Sequence, residues 1–196
     1  MKNKIELKSL TLFVVGVIVF IISCSSPNEI TDITNLSDSQ WDQIGTGNWS
    51  ISDDVITGDA TGGEAYLMSK KAYTNFLLTL EFKPDSLVNS GIYVRCSIKE
   101  GSAEECHEIN IWDNHPNQNN RTGAIVNRVT PTSILNTIDK WNAYRIQCEG
   151  DSITVELNGV PISSHGTAPN RKGFIGLQAA NNGKIQFRSL KILELD

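Results

Sequence analysis

The stretch that decides the fold is residues 106–114, whose sequence is CHEINIWDN. Its middle alternates between apolar and polar residues, with Ile109 and Ile111 on either side of Asn110. This period of two is typical of a β-strand that turns one face toward a hydrophobic core. The other face carries Glu108 and Asn110, so the stretch is either an ordinary solvated strand face or the floor of a site.

Segments with strand character recur along the rest of the chain, and Gly, Asn and Asp separate them. The sequences Glu149-Gly150-Asp151, Asn158-Gly159 and Asn181-Asn182-Gly183 are typical of tight hairpin turns. No helical periodicity of useful length follows residue 23. The pattern therefore predicts an all-β protein folded as a β-sandwich. The predicted strands are 48–52, 55–58, 65–69, 75–83, 91–99, 105–112, 123–127, 141–149, 152–157, 160–164, 173–179 and 184–194.

One long segment, residues 113–140, does not fit the strand pattern. It is rich in Asn, contains two prolines and holds at most one short strand. Long loops in compact domains are commonly functional, and this one leaves directly from the end of the predicted strand 105–112. It is therefore expected to border any site on that strand.

The N-terminus has the pattern of a bacterial lipoprotein signal. Three lysines precede an apolar run over residues 10–22, and Ser23-Cys24 follows it directly. This predicts a signal peptide over 1–23, a lipidated Cys24 with a tether over 24–37, and one domain over 38–196. The protein is then expected outside the cytoplasm, in the periplasm or at the cell surface, attached to a membrane only by its lipid. The alternative is an ordinary signal peptide with a chance cysteine.

Composition excludes several classes of function. The chain has a net charge of −5 and no basic run, which argues against binding nucleic acid. It has no glycine-rich loop that would cradle a phosphate. The four cysteines include no Cys-x-x-Cys pair, which argues against a zinc site.

The side of strand 105–112 that faces the core follows from its expected hairpin with residues 91–98. Both strands should turn their apolar sides to the core, because a slip of one residue would bury Glu108. Ile92 and Ile109 then share the core face, and alternation places Tyr93 and Arg95 on the face of Glu108.

The same alternation separates two cysteines. Cys96 falls on the core face and Cys106 on the face of Glu108, which argues against a disulfide between them. Cys96 and Cys148 are expected to behave as small core hydrophobes. Three cysteines follow Cys24. Because this number is odd, at least one thiol is expected to be free or paired between chains.

The side chains on this face suit a sugar. Arg95, Glu108 and Asn110 offer hydrogen bonds to hydroxyl groups, while the rings of Tyr93 and Trp112 can cover the CH faces of a pyranose. The alternative is a solvated sheet face whose Arg–Glu pair contributes about 0–1 kcal/mol.

Seven short motifs, in this order, resemble the 3-keto-disaccharide hydrolase domain family, which is common in secreted and lipid-anchored bacterial proteins. The resemblance covers roughly residues 38–196. The motifs are 89–95 (NSGIYVR), 108–113 (EINIWD), 122–125 (TGAI), 141–146 (WNAYRI), 157–159 (LNG), 173–178 (GFIGLQ) and 187–190 (FRSL).

The resemblance implies a concanavalin-like jelly roll of two antiparallel sheets that cleaves 3-keto-glycosides on its concave face, by hydrolysis or by elimination followed by hydration. It implies that Glu108 is the base or acid and that Arg95 holds the substrate or its enolate. It implies no firm cofactor, although a divalent metal is compatible with it. The residues expected to contact the carbohydrate are Asn89, Tyr93, Asn110, Trp112, Asp113, His115 and Gln178.

The sequence departs from the family pattern at one position that bears on catalysis. The family usually carries a His two residues after the Gln, where this chain has Ala180. A chain without that group is also compatible with a carbohydrate-binding module that performs no chemistry. A third alternative is a family 16 β-glucanase, whose Glu-x-Asp-x-x-Glu strand the segment Glu108–Asp113 resembles, with Asn110 and Asp113 as departures.

Overall fold

The computed structural model of the chain describes residues 29–37, 39–97, 105–166 and 172–195. The predicted signal peptide, Cys24 and the turn at residues 100–104 lie outside these residues. The described residues form thirteen strands and, apart from them, one 3₁₀ turn at Gln118–Asn120. The strands are β1 (Ile30–Asp32), β2 (Trp41–Gly45), β3 (Asn48–Ser52), β4 (Val55–Asp59), β5 (Ala65–Ser69), β6 (Phe76–Pro84), β7 (Ser90–Cys96), β8 (His107–Ile111), β9 (Asn142–Glu149), β10 (Ser152–Leu157), β11 (Val160–His165), β12 (Phe174–Ala179) and β13 (Lys184–Glu194).

The strands form two antiparallel sheets, as the family resemblance implied. The eight-stranded sheet has the order β11-β10-β9-β6-β13-β4-β3, and β1 pairs with β13 beyond the end of β4. The five-stranded sheet has the order β2-β5-β12-β7-β8. The molecule is therefore a jelly-roll β-sandwich.

The hydrophobic core lies between the sheets. In β6 every second residue is buried, from Phe76 to Pro84, because alternation along a strand sends successive side chains to opposite faces. Phe82 stacks on Tyr144 of the neighbouring β9, with ring centroids 4.6 Å apart. From the other sheet, Ile92 and Ile109 pack into the same core, as the register argument predicted.

The turns bear out two of the three predicted hairpins. β9 and β10 are joined by a turn with Gly150 at φ +53°, and β10 and β11 by Asn158-Gly159, both residues at positive φ. The third turn, Asn181-Asn182-Gly183, instead connects β12 in one sheet to β13 in the other. It carries the chain between the layers of the sandwich and forms no hairpin.

Residues of the predicted tether belong to the fold. Ile30–Asp32 pairs with Lys191–Leu193 of β13, and Ile33 is buried in the core. The domain therefore includes residues before 38. Within the described ranges, no helix has the length and apolar character that crossing a membrane requires.

Candidate functional site

Glu108 lies on the outer face of the five-stranded sheet, the face turned away from the core. Its neighbour Ile109 points into the core, whereas Glu108 is only 7% exposed on the opposite side. The carboxyl group lies over Gly91 on the adjacent strand. A Cβ atom added to Gly91 would stand 2.7 Å from Glu108 Oε1. The absence of a side chain at Gly91 is therefore what gives the carboxyl group its place.

Tyr93 is the partner of Glu108 across the β7–β8 ladder. The two side chains are hydrogen-bonded. Burial raises the pKa of Glu108 to about 7, and the bond from Tyr93 acts weakly in the opposite sense. Burial, reinforced by the nearby carboxylate, also raises the pKa of Tyr93, so the phenol keeps its proton. A carboxyl group that titrates near neutral pH can both take and return a proton, as a general base or acid must.

Gln178 and Tyr66 complete the polar part of this face. They are opposite each other in the β12–β5 ladder, and Gln178 Nε2 donates to the Tyr66 hydroxyl at 3.3 Å. The hydroxyl in turn donates to Glu64 Oε2 at 3.0 Å. The rings of Tyr66 and Tyr93 are 6.0 Å apart. We define these five residues, Glu64, Tyr66, Tyr93, Glu108 and Gln178, as the Glu108 cluster.

Arg95 is not on this face, so its predicted position beside Glu108 was wrong. Its backbone has φ +56°, and the β7–β12 register shifts at this point. This bulge turns the Arg95 side chain inward, where it is fully buried and Nη2 donates to the carbonyl oxygen of Gly150 at 2.8 Å. A bulge breaks the alternation on which the prediction depended.

The same bulge reverses the prediction for Cys96. With one extra residue in β7, Cys96 returns to the outer face, next to Tyr93. It forms a disulfide with Cys106, which the alternation argument had argued against. Cys148 is free and buried in the core, as predicted for it.

Asn110 and Asp113 hold the long loop over residues 113–140. Asn110 Nδ2 donates to the carbonyl oxygen of Asn120. Asp113 accepts hydrogen bonds from the Thr122 hydroxyl at 2.5 Å and from the Thr137 backbone N–H at 2.6 Å. Both side chains were predicted to contact carbohydrate, and the structure places them instead under the loop.

The loop also extends the sheet. The Asn110 backbone N–H donates to the carbonyl oxygen of Ala124 at 3.0 Å, and that of Val126 donates to the carbonyl oxygen of Glu108 at 2.9 Å. The predicted strand over 123–127 is therefore a short irregular stretch against the free edge of β8. It buttresses the strand that carries Glu108.

Three further predicted contact residues lie around the end of β8. The rings of Trp112 and His115 meet edge to face with centroids 4.5 Å apart, and both side chains are partly exposed. His115 Nδ1 accepts a hydrogen bond from the Asn117 N–H at 3.0 Å. Asn89 is also partly exposed and bridges Ala180 through its backbone.

Comparison with protein families then identifies the chain's relatives. The model of the 3-keto-alpha-glucoside-1,2-lyase-like domain matches residues 29–193. The chain belongs to this family. The match begins one residue before β1 and so includes this strand. No match was found among curated proteins.

The chain is similar in fold to three solved structures whose names concern carbohydrates. A "putative glycosyl hydrolase" from Parabacteroides distasonis is 25% identical with a TM-score of 0.71, covering 86% of this chain and 100% of that one. A β-glucanase from Bacillus licheniformis is 12% identical with a TM-score of 0.61, covering 88% and 100%. A carbohydrate-binding module from Bacillus subtilis is 13% identical with a TM-score of 0.55, covering 80% and 96%. The last two show the fold alone.

These findings make the lyase-like domain a carbohydrate-related jelly roll, similar to glycosyl hydrolases or to carbohydrate-binding modules. Two residues bear on that choice. Ala180, where a His was expected from the family resemblance, is fully buried. His107 faces the core, as predicted, where burial lowers its pKa to about 4, so it does not replace that group on the outer face.

The sequence did not decide whether the protein binds a metal ion. Among the residues that the structure describes, no group of three or more His, Cys, Asp or Glu side chains is placed to hold a metal ion. The groups beside Glu108 include a phenol and an amide, which form hydrogen bonds with hydroxyl groups.

Sequence reasoning missed Tyr66 and Glu64. Tyr66 alternates with the buried Leu67 in β5, which was predicted with its correct bounds, so its facing could be read locally. Its place beside Gln178 could not, because the pairing of β5 with β12 joins residues that are 112 positions apart.

Proposed function

We propose that this chain cleaves 3-keto-glycosides on the outer face of the five-stranded sheet, with Glu108 as the base. The observation that carries the proposal is the buried Glu108 carboxyl group, whose pKa of about 7 suits proton transfer at neutral pH. The family match and the fold support a carbohydrate substrate.

The chemistry needs little beyond such a base. A 3-keto group acidifies the proton on C2 of the sugar, and Glu108 takes that proton. The electron pair of the C2–H bond forms an enolate, which then expels the group on C1 as the C1–O bond breaks. The Glu108 carboxyl group returns its proton to the leaving oxygen, and the products are an unsaturated 3-keto sugar and a free alcohol. Addition of water across the new double bond gives the net result of hydrolysis.

The remaining residues bind and orient the substrate in this proposal. Tyr93 donates its one hydrogen bond to the Glu108 carboxyl group and keeps that group in place. Gln178 and Asn89 bind hydroxyl groups. The edge-to-face pair of Trp112 and His115 offers an apolar surface for the sugar or its leaving group.

The test is incubation of the purified chain with a 3-keto-glucoside and, in parallel, with the ordinary glucoside that has the same leaving group. We expect release of the leaving group from the 3-keto compound alone. Equal release from both compounds, or release from neither, would contradict the proposal. The same reactions with a divalent metal and with a chelator show whether a metal is needed.

A second function is favoured by one observation, the Ala180 side chain where the family resemblance implies a His. Without that group the Glu108 cluster would bind a glycan and leave it intact. Calorimetry separates the two functions, because a binding module gives a saturable heat of binding while the released-product assay stays at background. Asp113 argues against a family 16 β-glucanase. Its carboxylate accepts hydrogen bonds from two threonines and is not available as an acid.

We further propose that Cys24 carries a lipid and holds the domain at a bacterial membrane, outside the cytoplasm. The support is the sequence pattern of the first 24 residues. Cells that express the chain should incorporate labelled palmitate into it, and the Cys24→Ser variant should not. Labelling that persists in the variant would contradict the anchor.

A further inference from the structure

The two ends of the Gln178 amide have different surroundings. Nε2 donates to the Tyr66 hydroxyl at 3.3 Å. Oε1 is buried and accepts no hydrogen bond from the described part of the chain, and the whole residue is only 5% exposed. A buried acceptor without a donor is unfavourable, and a donor from a bound molecule would relieve it.

The direction of this amide is fixed by its neighbours. The Tyr66 hydroxyl has a single proton, and Glu64 Oε2 accepts it at 3.0 Å. The Tyr66 oxygen can then only accept, so Gln178 must turn its NH₂ group toward it. Burial raises the pKa of Tyr66, which keeps that proton on the phenol. The carbonyl end of Gln178 therefore points away from Tyr66.

The position of Gln178 places this acceptor in the Glu108 cluster. The ladder pairs Ile92 with Leu177 and Asn89 with Ala180, which puts Gln178 opposite Gly91. The Glu108 carboxyl group lies over Gly91. The free acceptor and the base thus stand on either side of one glycine.

We propose that Glu64, Tyr66 and Gln178 form a relay that sets Gln178 Oε1 as an acceptor for one hydroxyl group of the sugar. Gln178 touches the ligand, while Tyr66 and Glu64 are positioning residues that act through it. The relay selects a ligand group that donates a proton and rejects one that only accepts. It deepens the proposed function by naming what the site recognises, and it holds equally for a site that binds without cleaving.

The test measures equilibrium binding in a Glu108→Gln background, so that no ligand is consumed. The probes are methyl 3-keto-α-glucoside, its 2-, 4- and 6-deoxy analogues, and the corresponding deoxyfluoro compounds. We expect one deoxy analogue to bind about 10- to 100-fold more weakly than the parent. Its fluoro counterpart should bind no better, because fluorine does not donate a hydrogen bond.

Two added substitutions then break the relay. Tyr66→Phe removes the hydroxyl and should reduce the discrimination to about threefold or less. Glu64→Ala changes an exposed residue and should leave the fold intact. It frees the Tyr66 proton and allows the Gln178 amide to rotate, so that its NH₂ group faces the ligand. The fluoro compound should then recover affinity relative to the deoxy compound. Tyr73→Phe, a tyrosine outside the cluster, is the matched control and should leave discrimination unchanged.

The outcomes separate this inference from the proposed cleavage. The relay is overturned if Tyr66→Phe keeps full discrimination against the deoxy analogue and the fluoro compound recovers no affinity in Glu64→Ala. Equal binding of all analogues before either change also overturns it. If the unaltered chain releases no product while discrimination depends on Tyr66, the cleavage fails and the relay stands. If product is released and discrimination ignores Tyr66, the relay fails alone.

Discussion

The outer faces of the two sheets carry charged groups in opposite situations. On the eight-stranded sheet, Arg145 pairs with Glu156 at 3.1 Å and Arg188 with Glu81 at 2.6 Å, each across neighbouring strands and each partly exposed. On the five-stranded sheet, Glu108 is buried without a cationic partner among the described groups that raise or lower its pKa. Paired charges in water are ordinary surface chemistry. A lone buried carboxyl group is costly, and such groups concentrate at functional sites.

The largest difference between the faces should appear in turnover. Glu108→Gln keeps the shape of the side chain and removes the base, so the cleavage rate of a 3-keto-glucoside should fall by about 10²–10⁴-fold. Glu81→Gln makes the same change on the other face and should alter the rate by less than about twofold. Steady-state kinetics on both variants checks the pair. A similar rate for both variants would remove the catalytic role of Glu108.

The disulfide of the five-stranded sheet is expected to stabilise the fold. Cys96 and Cys106 close a loop with a sequence separation of 10. A reductant should therefore lower the free energy of unfolding by about 2–4 kcal/mol. Urea titrations with and without dithiothreitol measure this. The Cys96→Ser/Cys106→Ser double variant should show no response to the reductant, and a response there would locate the effect elsewhere.

Burial of Glu108 also predicts how stability depends on pH. The folded state holds the proton up to about pH 7, whereas the unfolded chain releases it near 4.5, so this group's contribution to stability falls as pH rises through that window. Glu108→Gln has no such group. Its free energy of unfolding relative to the unaltered chain should therefore rise by about 2–3 kcal/mol from pH 5 to pH 8.

His107 makes the free energy of unfolding change with pH in the opposite direction. Comparing the unaltered chain with Glu108→Gln at each pH cancels this contribution. Burial lowers the pKa of this histidine to about 4, so its contribution is lost as pH falls from about 6.5. Because both proteins retain His107, a flat difference between them would mean that Glu108 is solvated in the folded state.

The smallest effect is expected from the paired charges of the eight-stranded sheet. Removing the Arg145–Glu156 pair with Glu156→Gln should change the free energy of unfolding by at most about 1 kcal/mol, and less in high salt. Urea titration at low and high ionic strength checks this. A change as large as that expected for Glu108 would erase the contrast between the faces.

Many of the strands could be predicted from local sequence patterns. β3, β5, β10 and β13 have the predicted bounds, because alternation and turn residues act within a few positions. β1 was assigned to the tether and β2 was not predicted, since three exposed residues in one and weak alternation in the other give little signal.

The site was less predictable, for two physical reasons. Arg95 and Cys96 were placed on the wrong faces because alternation assumes a regular strand, and a bulge leaves no clear mark in the residue pattern. The relay through Tyr66 depends on which distant strands pair, which periodicity does not specify. Glu108 and Tyr93, which need only the local register of one hairpin, were placed correctly on one face.

The central claim is that Glu108 is a buried carboxyl group ready to transfer a proton near neutral pH. Its most direct test is an NMR titration of the side-chain carboxyl carbons in the ¹³C-labelled chain, with Glu108→Gln to assign the resonance. We predict a midpoint of about pH 7 for the signal that the variant lacks. A midpoint near 4.5, the ordinary value for a glutamate, would contradict the account.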